Sequence, residues 1–149
     1  LWGRSILAEG RGEVLSPAPA LPVLHAVLVN PGCEVSTPQV YRLFDHLDAH
    51  PGALKPDLPK AFGGLDELVE GLARLRNDLE APAIILAPEV GNVLKALKAQ
   101  PETRLARMSG SGATCFALCG SAKAAQTLRK RLSESHPAWW VRACELGVD

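Results

Sequence analysis

Ala106-Arg107-Met108-Ser109-Gly110-Ser111-Gly112-Ala113-Thr114-Cys115-Phe116 is the stretch on which the fold turns. Leu105 to Met108 reads as a short strand and Thr114 to Leu118 as a second, so the serines and glycines between them form the loop of a hairpin. Two glycines separated by one serine let the backbone approach a ligand closely and turn N–H groups toward an anion. A plain hairpin loop uses the same residues, so the pattern by itself leaves both readings open. It is not a Walker loop, because Gly-x-x-x-x-Gly-Lys-Ser/Thr occurs nowhere in the chain. Nor is it a nucleophile elbow, because Ser109 stands where the first glycine of Gly-x-Ser-x-Gly is needed.

Downstream, Ser121 to Ser133 is an amphipathic helix with Ala124, Leu128 and Leu132 inward, and Trp139 to Ala143 a final strand. Upstream, Glu89 to Ala99 reads as a helix with Val90, Val93, Leu94 and Leu97 aligned, and residues 65–75 as another carried by Leu65, Leu68, Val69, Leu72 and Leu75. Residues 77–87 are ambiguous: Ala83-Ile84-Ile85-Leu86 suits a buried strand or an apolar helix turn. Arg76-Asn77-Asp78 reads as a helix end leading into a new helix capped by Asn77 or Asp78. Ser36-Thr37-Pro38 starts a helix that runs to about Ala49, since a hydroxyl can cap and proline tolerates the first turn. His50-Pro51-Gly52 stops it, and residues 52–63 form a Pro- and Gly-rich loop. His25 to Val29 is a strong strand ending at the Asn30-Pro31-Gly32 turn. The opening is a hairpin, Ser5 to Ala8 and Glu13 to Leu15 about Gly10-Arg11-Gly12, with Pro17 to Pro22 as connector. This succession predicts an α+β fold, helices packed on one face of an antiparallel sheet, in a single domain.

The bulk numbers narrow the function. The chain has 149 residues, and sixteen basic side chains balance sixteen acidic ones, so there is no surplus of cations for a nucleic-acid surface. No run approaches the roughly 20 apolar residues of a membrane helix, and no basic-then-apolar leader opens the chain. Cys33, Cys115, Cys119 and Cys144 form no Cys-x-x-Cys pair; Cys115 and Cys119 share a strand face with Ala117 and read as buried thiols. His46 and His50 have metal-ligand spacing on a helix but no third ligand, and read as a solvated face; no metal site is expected. His25 and His136 read as structural. Thr37 and Tyr41 stand one turn apart and present a hydroxyl beside an aromatic ring, either a capped helix start or a shelf for a polyol and a base. The chain opens at Leu1 and its one methionine is Met108, from which a fragment or a processed chain is expected.

Gly10-Arg11-Gly12-Glu13, Asn30-Pro31-Gly32, Ser36-Thr37-Pro38, Arg76-Asn77-Asp78-Leu79-Glu80, the long glycine-loop string and Trp139-Trp140 occur together and in order. In this the chain resembles the GHMP kinases, in the branch that acts on a cytidine diphosphate methylerythritol. The resemblance spans essentially the whole chain and implies the C-terminal half of such a kinase: a ferredoxin-like α+β domain, with residues 1–22 at the junction to an N-terminal half. It implies ATP-dependent transfer to the substrate's 2-hydroxyl, in the non-mevalonate route to isoprenoids, in a bacterial cytoplasm or plastid stroma. Thr37 and Pro38 then belong to the methylerythritol pocket. Tyr41, where relatives often have Phe, stacks on cytosine, and Ser109, Gly110, Ser111, Gly112 and Ala113 lie near the phosphates. ATP with Mg is bound mainly by the N-terminal half, which carries the catalytic Lys and Asp. No catalytic residue is therefore expected here, and the fragment alone is expected to be inactive; if it folds alone, its exposed apolar face is a possible dimer contact. The alternatives are a sister kinase of mevalonate or homoserine type and a free-standing ferredoxin-like module that binds a small molecule.

Overall fold

A computed structural model of the chain describes residues 5–9, 14–47 and 58–147. The Gly10-Arg11-Gly12 turn, residues 48–49 at the expected end of the first long helix, the His50-Pro51-Gly52 stop and the first half of the loop at 52–63 lie outside the described residues. The elements are β1 (Ile6–Glu9), β2 (Val14–Pro17), β3 (Leu24–Asn30), α1 (Thr37–His46), α2 (Leu65–Ala73) and α3 (Glu80–Leu86). They continue with α4 (Pro88–Lys98), β4 (Thr103–Met108), β5 (Cys115–Cys119), α5 (Ala122–Ser135) and β6 (Trp140–Leu146).

The strands β3 to β6 form one antiparallel sheet in the order β4-β5-β3-β6, and β1 pairs with β2 in a separate ribbon. Two β-α-β passages interleave in that order, the ferredoxin-like arrangement. Strand β3 is central and apolar on both faces, so its alternation sorts the core into two layers. Val27 and Val29, with Cys115, Ala117 and Cys119 of β5 and Val141 of β6, meet α4 and α5 through Val90, Val93, Leu97, Ala125, Leu128 and Leu132. Leu24, Ala26 and Leu118 point the other way, onto Phe62 and Leu68.

That second layer corrects one expectation. The fold is the expected α+β sheet, but the helices are not confined to one face: α2 covers the face opposite α4 and α5. The apolar stripe of α2 is genuine, and the sheet's other face is also apolar at Leu24, Ala26 and Leu118. The two faces bury each other. Arg104 of β4 reaches Asp66 of α2, and the Arg107 guanidinium donates to the Leu72 carbonyl at 2.9 Å.

The ambiguous segment at 77–87 is helical. Pro82 falls in the first turn of α3, where the missing N–H has no intrahelical acceptor to lose. Pro88 then forces Ala87 out of the helical region, at φ −141° and ψ 88°, and α4 begins at Pro88. One proline is thus tolerated at a helix start, and the other separates α3 from α4. Ser121 caps α5 by accepting from the Ala124 N–H at 3.1 Å. Ser36 precedes α1, but its side chain makes no capping bond; its carbonyl takes the N–H groups of Gln39 and Val40 instead.

Candidate functional site

The glycine loop joins β4 to β5 at one end of the sheet. Its neck is closed by the Ser109 N–H on the Thr114 carbonyl at 2.9 Å and the Gly112 N–H on the Ser109 carbonyl at 3.0 Å. Gly110 and Gly112 have φ of 55° and 92°, and the Gly112–Ala113 peptide is cis. A side chain at Gly112 would place its Cβ 3.0 Å from the Met108 sulfur. The loop therefore needs glycine there for conformation and for space.

Three other segments converge on it. The Thr37 and Ser111 hydroxyls lie 2.8 Å apart and share a hydrogen bond, joining the start of α1 to the loop across 74 residues of sequence. The Asn30 amide donates to the Thr114 hydroxyl at 3.0 Å, while its carbonyl oxygen accepts the Gly32 N–H at 2.8 Å. The Asn77 carboxamide donates to the carbonyls of Met108 at 3.0 Å and Gly110 at 2.8 Å. Its own oxygen accepts the Leu79 N–H at 3.1 Å. The next residue but two, Glu80, accepts the Met108 N–H at 3.4 Å. The outer edge of β4 is thus covered at its end by the turn before α3, which leaves no open ladder there.

Tyr41 stands one turn beyond Thr37 and is 51% exposed, its ring unclaimed by the core. The structure thus brings Thr37 against the loop at Ser111, leaves Pro38 exposed beside it in the first turn, and sets Tyr41 on the open face of the same helix. Asn30 and Asn77 are the residues that sequence reading undervalued. Asn77 was legible as a cap, and it does serve the Leu79 N–H; its two donors to a loop more than thirty positions away were not. Trp139 stacks on His136 at 3.8 Å between centroids, and the Arg142 guanidinium lies 5.9 Å over Trp140. These aromatics take no part in the loop's hydrogen bonds.

The four cysteines are free, Cys115 and Cys119 buried and Cys33 and Cys144 partly exposed. Burial pushes the Cys115 thiol up to about 12, with the Glu80 carboxylate adding to it, and the Cys119 thiol up to about 11. No group of three or more His, Cys, Asp or Glu side chains that could hold a metal ion occurs among the described residues. No helix among them is long and apolar enough to cross a membrane. What the site offers is a surface of backbone and hydroxyl groups, suited to binding and orienting a polar ligand rather than to moving protons.

The four-stranded split β-α-β sheet is that of a kinase domain class, and the chain belongs to that family: the model described as GHMP kinases C terminal matches residues 49–138. At 51% identity over 148 residues, the chain is similar to the 4-diphosphocytidyl-2-C-methyl-D-erythritol kinase of Caulobacter sp. (strain K31), a match that covers 99% of this chain and 50% of that protein. A crystal structure of 4-(cytidine 5'-diphospho)-2C-methyl-D-erythritol kinase superposes with a TM-score of 0.74 at 35% identity, over 99% of this chain and 51% of that one. Homoserine kinase from Cytophaga hutchinsonii, at 19% identity and a TM-score of 0.60 over 97% of this chain and 48% of that one, shares the fold. The chain spans about half the length of the curated relatives it matches, and the matching half is the C-terminal one.

Proposed function

We propose that this chain is the C-terminal, substrate-binding half of an ATP-dependent kinase that phosphorylates the 2-hydroxyl of 4-diphosphocytidyl-2-C-methyl-D-erythritol, on the non-mevalonate route to isoprenoids. The observation that carries the reading is the Thr37–Ser111 hydrogen bond, because it makes one surface of the helix start and the glycine loop. In this reading Thr37 and Pro38 line the methylerythritol, and the half-exposed Tyr41 ring stacks on cytosine. Ser109 to Ala113 form the wall beside the phosphates. The chain binds and orients; it does not carry the transfer.

Phosphoryl transfer depends on positioning and on neutralising charge around the moving group. The described residues hold no carboxylate cluster for Mg and no Gly-x-x-x-x-Gly-Lys loop. In this reading ATP with Mg is bound mainly by an N-terminal half, which would supply the phosphate cradle, the Lys and the Asp. Residues 1–22, a hairpin and connector, belong in this reading to the junction with that half, and residues 1–149 to one domain. The exposed Ile6, Val14 and Leu15 give the hairpin an apolar surface to bury there. The compartment is a bacterial cytoplasm or a plastid stroma.

Titration calorimetry on the chain joined to its N-terminal half tests the reading. The cytidine diphosphate substrate should bind, and Tyr41→Ala should weaken it about tenfold or more, the loss of one base-stacking contact of ~1–3 kcal/mol. Binding of mevalonate or homoserine in place of the cytidine compound would refute it.

A further inference from the structure

We propose that Asn77 is the positioning residue of the glycine loop: it sets the loop's shape, and through that shape the rate of transfer rather than the affinity for the acceptor alcohol. The second half of this statement rests on the kinase reading above; the first does not. Both N–H groups of the Asn77 carboxamide are donated to loop carbonyls, of Met108 and Gly110, and its oxygen accepts from Leu79. Exchanging the amide's oxygen and nitrogen would aim oxygen at two carbonyls, so the orientation is settled by its partners. No other common side chain of this length offers two donors and an acceptor together. Asp would accept from Leu79 but repel both carbonyls.

The geometry carries this to the loop's working side. In a trans peptide the C=O and the following N–H point opposite ways. With the Gly110 carbonyl drawn to Asn77, the Ser111 N–H faces away from it, and no acceptor among the described residues meets that N–H. The Ser111 hydroxyl is meanwhile held by Thr37. Asn77 and Thr37 therefore grip the loop from two sides, and only Asn77 acts on its backbone. Released from Asn77, the Gly110–Ser111 peptide is free to rotate, since glycine at φ 55° tolerates many alternatives. The donors and the acceptor of the Asn77 carboxamide are all taken up within the protein, so it acts on transfer by holding the loop.

Asn77→Asp, made in the whole kinase with its N-terminal half, tests the proposal, with ¹⁵N-glycine and ¹⁵N-serine labels reporting on Gly110, Ser111 and Gly112. At pH 7 those amide signals should move, while the Leu79 contact, which a carboxylate can still accept, persists. On acidification the introduced carboxyl gains an O–H and can restore one of the two donors, so the signals should return part way. The wild-type pH series, which carries the same Glu80 carboxylate beside Met108, is the baseline against which that return is read. The kcat should fall about 100-fold, as for a misplaced active-site group, with KM for the alcohol within about threefold of wild type. Should that variant fold poorly, Asn77→Ser keeps an acceptor for Leu79, is too short to span both carbonyls, and should give the same amide shifts without the pH reversal. Loop signals unchanged in both variants would overturn the proposal, as would displaced signals with kcat unchanged. A wild-type protein without kinase activity would refute the function proposed above, while the amide signals would still judge the grip on the loop.

Discussion

Gly110 and Gly112 sit two residues apart in one loop, both at positive φ, yet they should respond differently to substitution. At Gly110 an added Cβ meets nothing within 4 Å, so Gly110→Ala should cost only the left-handed backbone, about 1–2 kcal/mol. At Gly112 the same Cβ lies 3.0 Å from the Met108 sulfur, and Met108 is itself buried. Gly112→Ala should therefore cost about 2–4 kcal/mol, strain and displaced packing together. Urea denaturation of the two variants checks the order; equal losses would mean that Met108 yields freely.

The buried thiols make a second prediction at this scale. Folded, Cys115 and Cys119 hold their protons to about 12 and about 11, against an ordinary 9.0. Between pH 9 and those values the unfolded chain has released protons that the native one retains, so rising pH favours unfolding. The thiols' contribution is full below pH 9 and is lost as pH climbs toward 12. Denaturation midpoints at pH 8 and pH 10.5 should differ less in a Cys115→Ala, Cys119→Ala double variant than in wild type. At pH 8 a thiol reagent should label the partly exposed Cys33 and Cys144 first.

Among the elements, α5 is held by a stripe whose spacing was plain in the sequence. Leu128 and Leu132 are fully buried against the sheet, and Leu128→Ala should cost about 2–5 kcal/mol, read from the same urea midpoints. Arg131 fastens the exposed side of that helix, donating to Gln100 at 2.9 Å and to Glu102 at 2.8 Å. Helix α3 was harder to read, because an apolar run of four residues has no period. Its two prolines carried the answer: one is tolerated in a first turn and the other ends a helix before it. The face that α2 would cover had no signal at all. Its stripe says only that it buries something, and a sheet apolar on both faces offers two choices.

For the whole molecule, the family and the C-terminal half are established, and the division of labour proposed above sets the expected behaviour. The isolated chain should give no ATP turnover above background with the cytidine diphosphate substrate, and the chain joined to its N-terminal half should turn over at ~1–100 per second, as kinases do. Turnover by the isolated chain would overturn the division of labour proposed above. Concentration-dependent sedimentation of the isolated chain tests for a dimer through the exposed apolar face.

The sequence by itself determined the elements apart from α3, their order and the segments that matter. Periodicity, proline and glycine act over a few residues and leave their mark locally, so the hairpin about Ser109 to Ala113, the start at Ser36-Thr37-Pro38 and the buried face of Cys115 and Cys119 were all legible. Only the tertiary structure decided which face α2 covers, that Thr37 meets Ser111 across 74 residues, and that Asn77 holds Gly110 across 33. A hydrogen bond between distant side chains has no period and no local propensity; it exists once the sheet has set both partners at the same end.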